Sequence, residues 1–404
     1  MTSPSSFRER IILYACLTSL TSISIDALLP GLRQIGADVG AASPLSTQHI
    51  ISLFILGMAC GELLLGPLSD ALGRKKALVL GLCVYALGTV IAMTAGSLEM
   101  VILGRFVQGI GVSGPKIATR AMIRDQFEGD AMARVMSLMF TLFILVPMLA
   151  PALAQGIIAI GGWRSVFAVY LGVAGLLGLW LVMRQPETLP PAKRIPFRPR
   201  LLVLNGWHIL SNWRVALLIV ATGLVFGAQL LYLSTAADLF FDAYGITETF
   251  PFYFAALATG IGLASFLNAK LVQRFGSDTM ARYGFTGLAM AGLAMLAISA
   301  FWGGRPPLPV LMVLAFSAFF AIGVLFGNLN AMAMRSLGQV AGLGASLIAS
   351  GSSLIATLFA IGLGTLYDGT TFALSAGFLI AGVSALVLAE LAVRGDAAPV
   401  EALR

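Results

Sequence analysis

Gly66-Pro67-Leu68-Ser69-Asp70-Ala71-Leu72-Gly73-Arg74-Lys75-Lys76 joins two long apolar stretches and packs an acid, a glycine and three cations into a few residues. Hydrocarbon cannot solvate such groups, so the segment belongs in water at one membrane face. The chain on either side must then supply helices that cross the bilayer.

Composition agrees. Of 404 residues, 58% are hydrophobic and 11% charged, with 45 glycines. A soluble domain would carry about 25% charged residues, so only a polytopic membrane protein fits. A spanning helix needs roughly 20 apolar residues. Hydropathy predicts spans near 11–31, 47–68, 77–97, 100–121, 135–158, 165–184, 215–237, 248–269, 281–301, 309–333, 342–366 and 372–393. No small-residue cleavage site accompanies the first span behind Arg8 and Arg10, so it reads as a retained helix and not a signal peptide.

The net charge of +7 is spread unevenly. Cations gather in alternate connections: Arg74, Lys75 and Lys76; Arg120, Arg124 and Arg134; Arg184, Lys193, Arg194, Arg198 and Arg200; Lys270, Arg274 and Arg282; Arg335; Arg394. The opposite connections hold little beyond Arg33, Arg164 and Arg305. This asymmetry argues against nucleic-acid binding and predicts both termini and the central loop in the cytoplasm. Cys16, Cys60 and Cys83 fall inside predicted helices and suggest no disulfide framework. His49 and His208 have no second ligand at metal spacing, so neither metal nor cofactor is expected.

The one long polar interruption, 185–212, carries Pro186, Pro190, Pro191, Pro196 and Pro199, with Arg184 just before it and Lys193, Arg194, Arg198 and Arg200 within it. Its proline-rich part should be extended, and Leu201–Trp213 could form a short helix on the inner surface. It divides an N-terminal six-helix bundle, 1–184, from a C-terminal one, 213–404. A weak echo of the opening segment follows the eighth predicted helix, Ala269-Lys270-Leu271-Val272-Gln273-Arg274-Phe275-Gly276, with the acid replaced by Gln273. Two six-helix halves related by internal repetition recur among transporters.

The spacing G-x-x-x-D-x-x-G-R-K-K is similar to the loop between the second and third helices of major facilitator superfamily transporters. Further segments resemble one branch, the Bcr/CflA-like drug:proton antiporters. These are Ser24-Ile25-Asp26-Ala27-Leu28-Leu29-Pro30, Arg105-Phe106-Val107-Gln108-Gly109-Ile110-Gly111 and Pro147-Met148-Leu149-Ala150-Pro151 through Gly156. Gly162-Trp163-Arg164, Pro186-Glu187-Thr188-Leu189, Gly327-Asn328 and Ala341 through Ser346 continue the likeness. The resemblance implies an all-α fold of twelve transmembrane helices in two pseudo-symmetric six-helix bundles. It also implies a cavity lined by the first, fourth, seventh and tenth helices. Gly66, Asp70, Gly73, Arg74, Lys75 and Lys76 would form a conformational latch, and Pro147, Pro151 and Gly156 a gating or passively kinked helix. The chain departs from the branch at Gly61-Glu62, where glutamine usually follows the glycine, and at Lys116, an otherwise apolar position.

A charge inside a membrane helix is costly unless paired or wet, and is a functional hypothesis by default. Asp26, Glu62, Arg105 and Lys116 are such charges. Around Asp26, loss of water disfavours the charged form and a neighbouring cation favours it. It reads either as the proton-coupling acid or a substrate contact in the cavity, or as a cap on helix backbone. Glu62 and Arg105 are the other proton-coupling candidates. Arg105 and Lys116 stand eleven residues apart and share a helical stripe with Gln108. The stripe could attract an anionic or zwitterionic compound, or Lys116 could merely snorkel. Gln229, Tyr232 and Asn328 complete the candidate cavity wall.

The function expected is secondary active export of small organic compounds, drug-like or metabolite, in exchange for protons by alternating access. Through the resemblance this means multidrug efflux and antibiotic resistance. The alternative is a proton-coupled importer or facilitator of a small organic anion. The partners are protons, the substrate and the bilayer, with a monomer expected. No H-E-x-x-H, paired intramembrane aspartates or G-x-x-x-x-G-K-[ST] points to an enzyme.

Overall fold

The computed structural model describes residues 7–40, 45–127, 129–335, 337 and 341–394. Every regular element among them is helical. The chain divides between Pro199 and Arg200 into two compact units.

The first unit contains α1 (Phe7–Asp26), α2 (Leu32–Val39), α3 (Gln48–Leu72), α4 (Arg74–Met93), α5 (Leu98–Gln126), α6 (Gly129–Gly161) and α7 (Trp163–Arg184). The second contains α8 (Pro199–Ser211), α9 (Trp213–Asp238), α10 (Phe250–Phe275), α11 (Ser277–Phe301), α12 (Leu308–Met334), α13 (Ala341–Gly364) and α14 (Phe372–Arg394). All but α2 and α8 have 20 residues or more, which makes twelve long helices among the described residues. Ten stretches satisfy both length and hydropathy for crossing a membrane. Helix α5 fails the hydropathy criterion because it holds Arg105, Lys116, Arg120, Arg124 and Asp125.

Several boundaries differ from the hydropathy reading. The first long helix stops at Asp26, since Leu29-Pro30-Gly31 tighten into a 3-10 turn before α2. Proline cannot donate to the preceding turn, so it ends the regular ladder. Arg120 and Arg124 lie within α5 and not in a connection. His208 sits on α8.

Packing within each unit follows one scheme. In the first, α5 packs on α3 and α4, α1 on α6, and α7 on α4. In the second, α12 packs on α10 and α11, α9 on α13, and α14 on α11. The repeat extends to the turns. Gly73 (φ 105°, ψ 153°) joins α3 to α4, and Gly276 (φ 78°, ψ 158°) joins α10 to α11. Both occupy a backbone region that is essentially reserved for glycine.

Close approach fixes where the charged side chains of α5 fall. A Cβ added at Gly57 would lie 2.0 Å from the Phe106 carbonyl, and one at Gly109 2.1 Å from that of Phe54. Helices α3 and α5 therefore touch backbone to backbone, as small residues permit in membranes.

Candidate functional site

Three groups of polar side chains stand out in the first unit. One surrounds the end of α1. The last carbonyls of a helix have no intrahelical partner, and the break at Leu29–Pro30 leaves that of Ser24 in this position. Arg105 supplies the missing donor, its Nη2 lying 2.8 Å from Ser24 O. The Arg105 Nη1 donates to Gln108 Oε1. Its Nε reaches Ile50 O at 3.5 Å, and the guanidinium lies 4.1 Å from the Phe54 ring centroid. Gln108 passes the network on, its Nε2 donating to Thr89 Oγ1 at 2.8 Å. The Tyr85 and Ser24 hydroxyls are 2.7 Å apart, and the Tyr170 hydroxyl donates to Ile23 O at 3.1 Å.

Asp26, two residues past Ser24, lies beside this network without joining it. The side chain is buried at 5% exposure. Its carboxylate makes no hydrogen bond or ion pair among the described residues, and Tyr170 is within electrostatic reach. The predicted stripe on α5 is not uniformly wet. Arg105 and Gln108 are fully buried, being consumed by backbone and amide contacts, while Lys116 is partly exposed.

The second group joins the two residues that depart from the branch pattern. Lys116 Nζ lies 2.5 Å from Glu62 Oε1, and Glu62 is completely enclosed. Lys116 also touches Met58 Sδ at 3.6 Å. Neither cation of the stripe contacts Asp26.

The third group is the charged turn. Arg74, although charged, is 4% exposed. It pairs with Asp70, donates from Nε to Asp125 Oδ2 at 3.0 Å and reaches Ser69 Oγ at 3.2 Å. Glu187 accepts from the backbone N–H of Arg74 at 2.9 Å and of Lys75 at 3.2 Å. Gly73 is required here because a Cβ would lie 2.4 Å from Glu187 Oε2. Lys75 Nζ caps the end of α7 through Val182 O at 2.9 Å, whereas Lys76 is exposed. Gly66 is buried in α3. The Ile195 N–H donates to Asp70 O at 3.1 Å, so the proline-rich segment after α7 packs on this turn. Asp125 and Glu187 are the members that sequence reading did not assign to the latch. Glu187 was visible in Pro-Glu-Thr-Leu, but nothing local says which helix it caps.

The repeat-related place in the second unit carries the opposite polarity. There Asp278, in the first turn of α11, meets Arg335 just past α12 at 2.9 Å. In the first unit the cation opens α4 and the acid closes α5.

Helix α6 runs through Pro147 and Pro151 without interruption, and Gly156 is exposed. In the second unit, Tyr232 is buried with the Phe319 ring centroid 4.8 Å away, and Gln229 is half-buried. Asn328 is buried and donates to Asn268 Oδ1 at 2.8 Å and Val324 O at 2.7 Å. Asn268 was not singled out from sequence, since a lone amide in an apolar helix gives no partner signal.

The model of the Major Facilitator Superfamily matches residues 12–365. A bicyclomycin resistance protein homolog of Haemophilus influenzae is 29% identical over 84% of this chain and 85% of its own length. The multidrug resistance protein MdtL of Klebsiella pneumoniae is 28% identical over 85% and 86%. Among solved structures, a D-xylose-proton symporter superposes with a TM-score of 0.72 at 16% identity, over 96% of this chain and 98% of that one. The human organic anion transporter MFSD10 gives 0.68 at 19% identity, over 95% and 98%. The chain is a multi-pass membrane transporter, not an enzyme, and belongs to the Major Facilitator Superfamily.

Proposed function

We propose that this chain exports small, drug-like organic compounds across a bacterial cytoplasmic membrane in exchange for protons. It works as a monomer by alternating access, with both termini and the 185–212 segment on the cytoplasmic side. Asp26 is the principal proton-linked group, and the charged turn from Gly66 to Lys76 biases the conformational equilibrium. The names of the bicyclomycin and multidrug resistance relatives support the substrate class.

The observation that carries the reading is the solitary carboxyl of Asp26. It is buried and unpaired among the described residues, while Arg105 is committed to Ser24 O and Gln108. A charge kept in such a place costs several kcal/mol. Its protonation is therefore tied to the access of water, which is what coupling to a proton gradient needs. The importer alternative rests on Lys116, and no observation on transport direction favours it.

Proteoliposomes with an imposed pH gradient test the proposal against lipophilic cations, neutral drugs and organic anions. The wild-type chain should move at least one class against its concentration gradient. Asp26→Asn should insert normally and lose gradient-driven movement. Wild-type rates in that variant would remove Asp26 from the mechanism. A wild-type chain indifferent to the pH gradient for every class would overturn proton coupling.

A further inference from the structure

Glu62, Lys116 and Arg120 form a charge cluster separate from Asp26. Glu62 Oε1 is 2.5 Å from Lys116 Nζ, and Glu62 Oε2 is buried without a hydrogen-bond partner. Lys116 keeps 20% of its side chain exposed. Arg120, one turn further along α5, is exposed and within electrostatic reach of Glu62. It has no hydrogen-bond or ion-pair partner among the described residues.

Charged heads on a spanning helix cannot face hydrocarbon without a large cost, so this face of α5 is wet. Among the described residues two cations there share one carboxylate, which leaves the cluster with one uncompensated positive charge. Glu62 cannot be reached from solvent, but it fixes the Lys116 ammonium. Ordering that long side chain beforehand lowers the cost of using it again in binding. The guanidinium of Arg120 is uncommitted among the described residues, and its planar fork matches a carboxylate.

We propose that Lys116 and Arg120, with Glu62 as the buried counter-ion that holds Lys116, form a receptor for a single carboxylate on the transported compound. A monoanionic group brings the cluster to neutrality. The site then selects anionic or zwitterionic compounds over neutral ones of the same body. This rests on the export reading and specifies its substrate class.

The test is equilibrium binding of one aromatic probe in carboxylate, carboxamide and ammonium forms to the purified full-length chain in non-ionic detergent. The wild-type chain should bind the carboxylate roughly tenfold or more tightly than the carboxamide, the effect of one charge-assisted contact. Arg120→Gln leaves the buried pair intact and should lower that ratio about tenfold. Arg120→Lys keeps the charge and should retain most of the preference. Glu62→Gln with Lys116→Met removes the pair as a unit and should also lower the ratio. Equal affinity for carboxylate and carboxamide in the wild-type chain would overturn the proposal, as would an unchanged ratio in Arg120→Gln. So would a preference that vanishes when phosphatidylglycerol is added, because a lipid phosphate would then be the resident anion. In proteoliposomes, failure of this proposal leaves gradient-driven export of the carboxamide and ammonium probes. Failure of the export reading removes gradient-driven movement of all three.

Discussion

Glu187 accepts hydrogen bonds from the backbone N–H of Arg74 at 2.9 Å and of Lys75 at 3.2 Å, so the segment that follows α7 caps the first turn of α4. An anion at a helix N-terminus satisfies orphan donors and meets the positive end of the dipole. The turn that decides the fold from sequence is thus closed by a residue more than a hundred positions away.

Glu187→Ala should destabilise the protein by about 1–2 kcal/mol, as loss of a helix cap does. It should also loosen 185–198, since the Thr188 and Leu189 N–H groups donate to the same carboxylate at 3.0 and 3.1 Å. Apparent melting temperature and limited proteolysis of that segment would measure both. An unchanged melt with unchanged cleavage would count against the cap.

Arg74 is buried between Asp70 and Asp125. Asp70→Asn removes one charge-assisted contact, worth roughly 1.5–3 kcal/mol, and should shift the population toward inward-facing states. Asp125→Asn should shift it the same way. The double variant leaves an unpaired buried guanidinium and should cost more than the sum of the two. Cysteine-accessibility labelling reads the population, and simple additivity would show that the two acids do not share Arg74.

Gly73 and Gly276 offer a controlled comparison. Both have backbone angles that cost a side-chain-bearing residue of order 1–3 kcal/mol. An added Cβ meets Glu187 at 2.4 Å only at Gly73, and nothing within 4 Å at Gly276. Gly73→Ala should therefore lower the melting temperature more than Gly276→Ala. Equal losses would mean that Glu187 moves aside freely.

Ten of the long helical stretches were legible because each is an apolar run long enough to cross the bilayer, punctuated by charged turns. The first boundary was not, because hydropathy does not register that Pro30 ends hydrogen bonding before apolar character ends. Asp26, Arg105, Glu62 and Lys116 were legible as costly intramembrane charges. Their partners were less so. Lys116 could have paired with either acid, and the choice of Glu62 depends on how closely α3 meets α5 at Gly57, Gly61 and Gly109. Arg105 read as a cavity cation, yet one of its hydrogen bonds goes to Ser24 O, which the broken end of α1 makes available, and the others go to Ile50 O on α3 and Gln108 Oε1. Asn268 and Asp125 carry no local signal at all, because their roles arise from helices distant in sequence.

Arg105 and Asp26 should separate stability from coupling. Arg105→Met removes the donors that serve Ser24 O and Gln108 Oε1 and the ring contact with Phe54. Each buried acceptor left unpaired costs about 1–3 kcal/mol, so the variant should melt well below the wild-type chain and lose transport with its structure. Arg105→Lys keeps a positive charge and one donor to Ser24 O but lacks the planar fork, and should fall between the two. Asp26→Asn breaks no hydrogen bond among the described residues and keeps the side chain's size, so it should melt no lower than the wild-type chain. Its cost should appear only in gradient-driven transport. Melting curves in detergent, set beside transport in proteoliposomes, distinguish the roles. An Asp26→Asn variant as unstable as Arg105→Met would mean that the carboxylate holds the end of α1 together, and the separation of the two roles would fail.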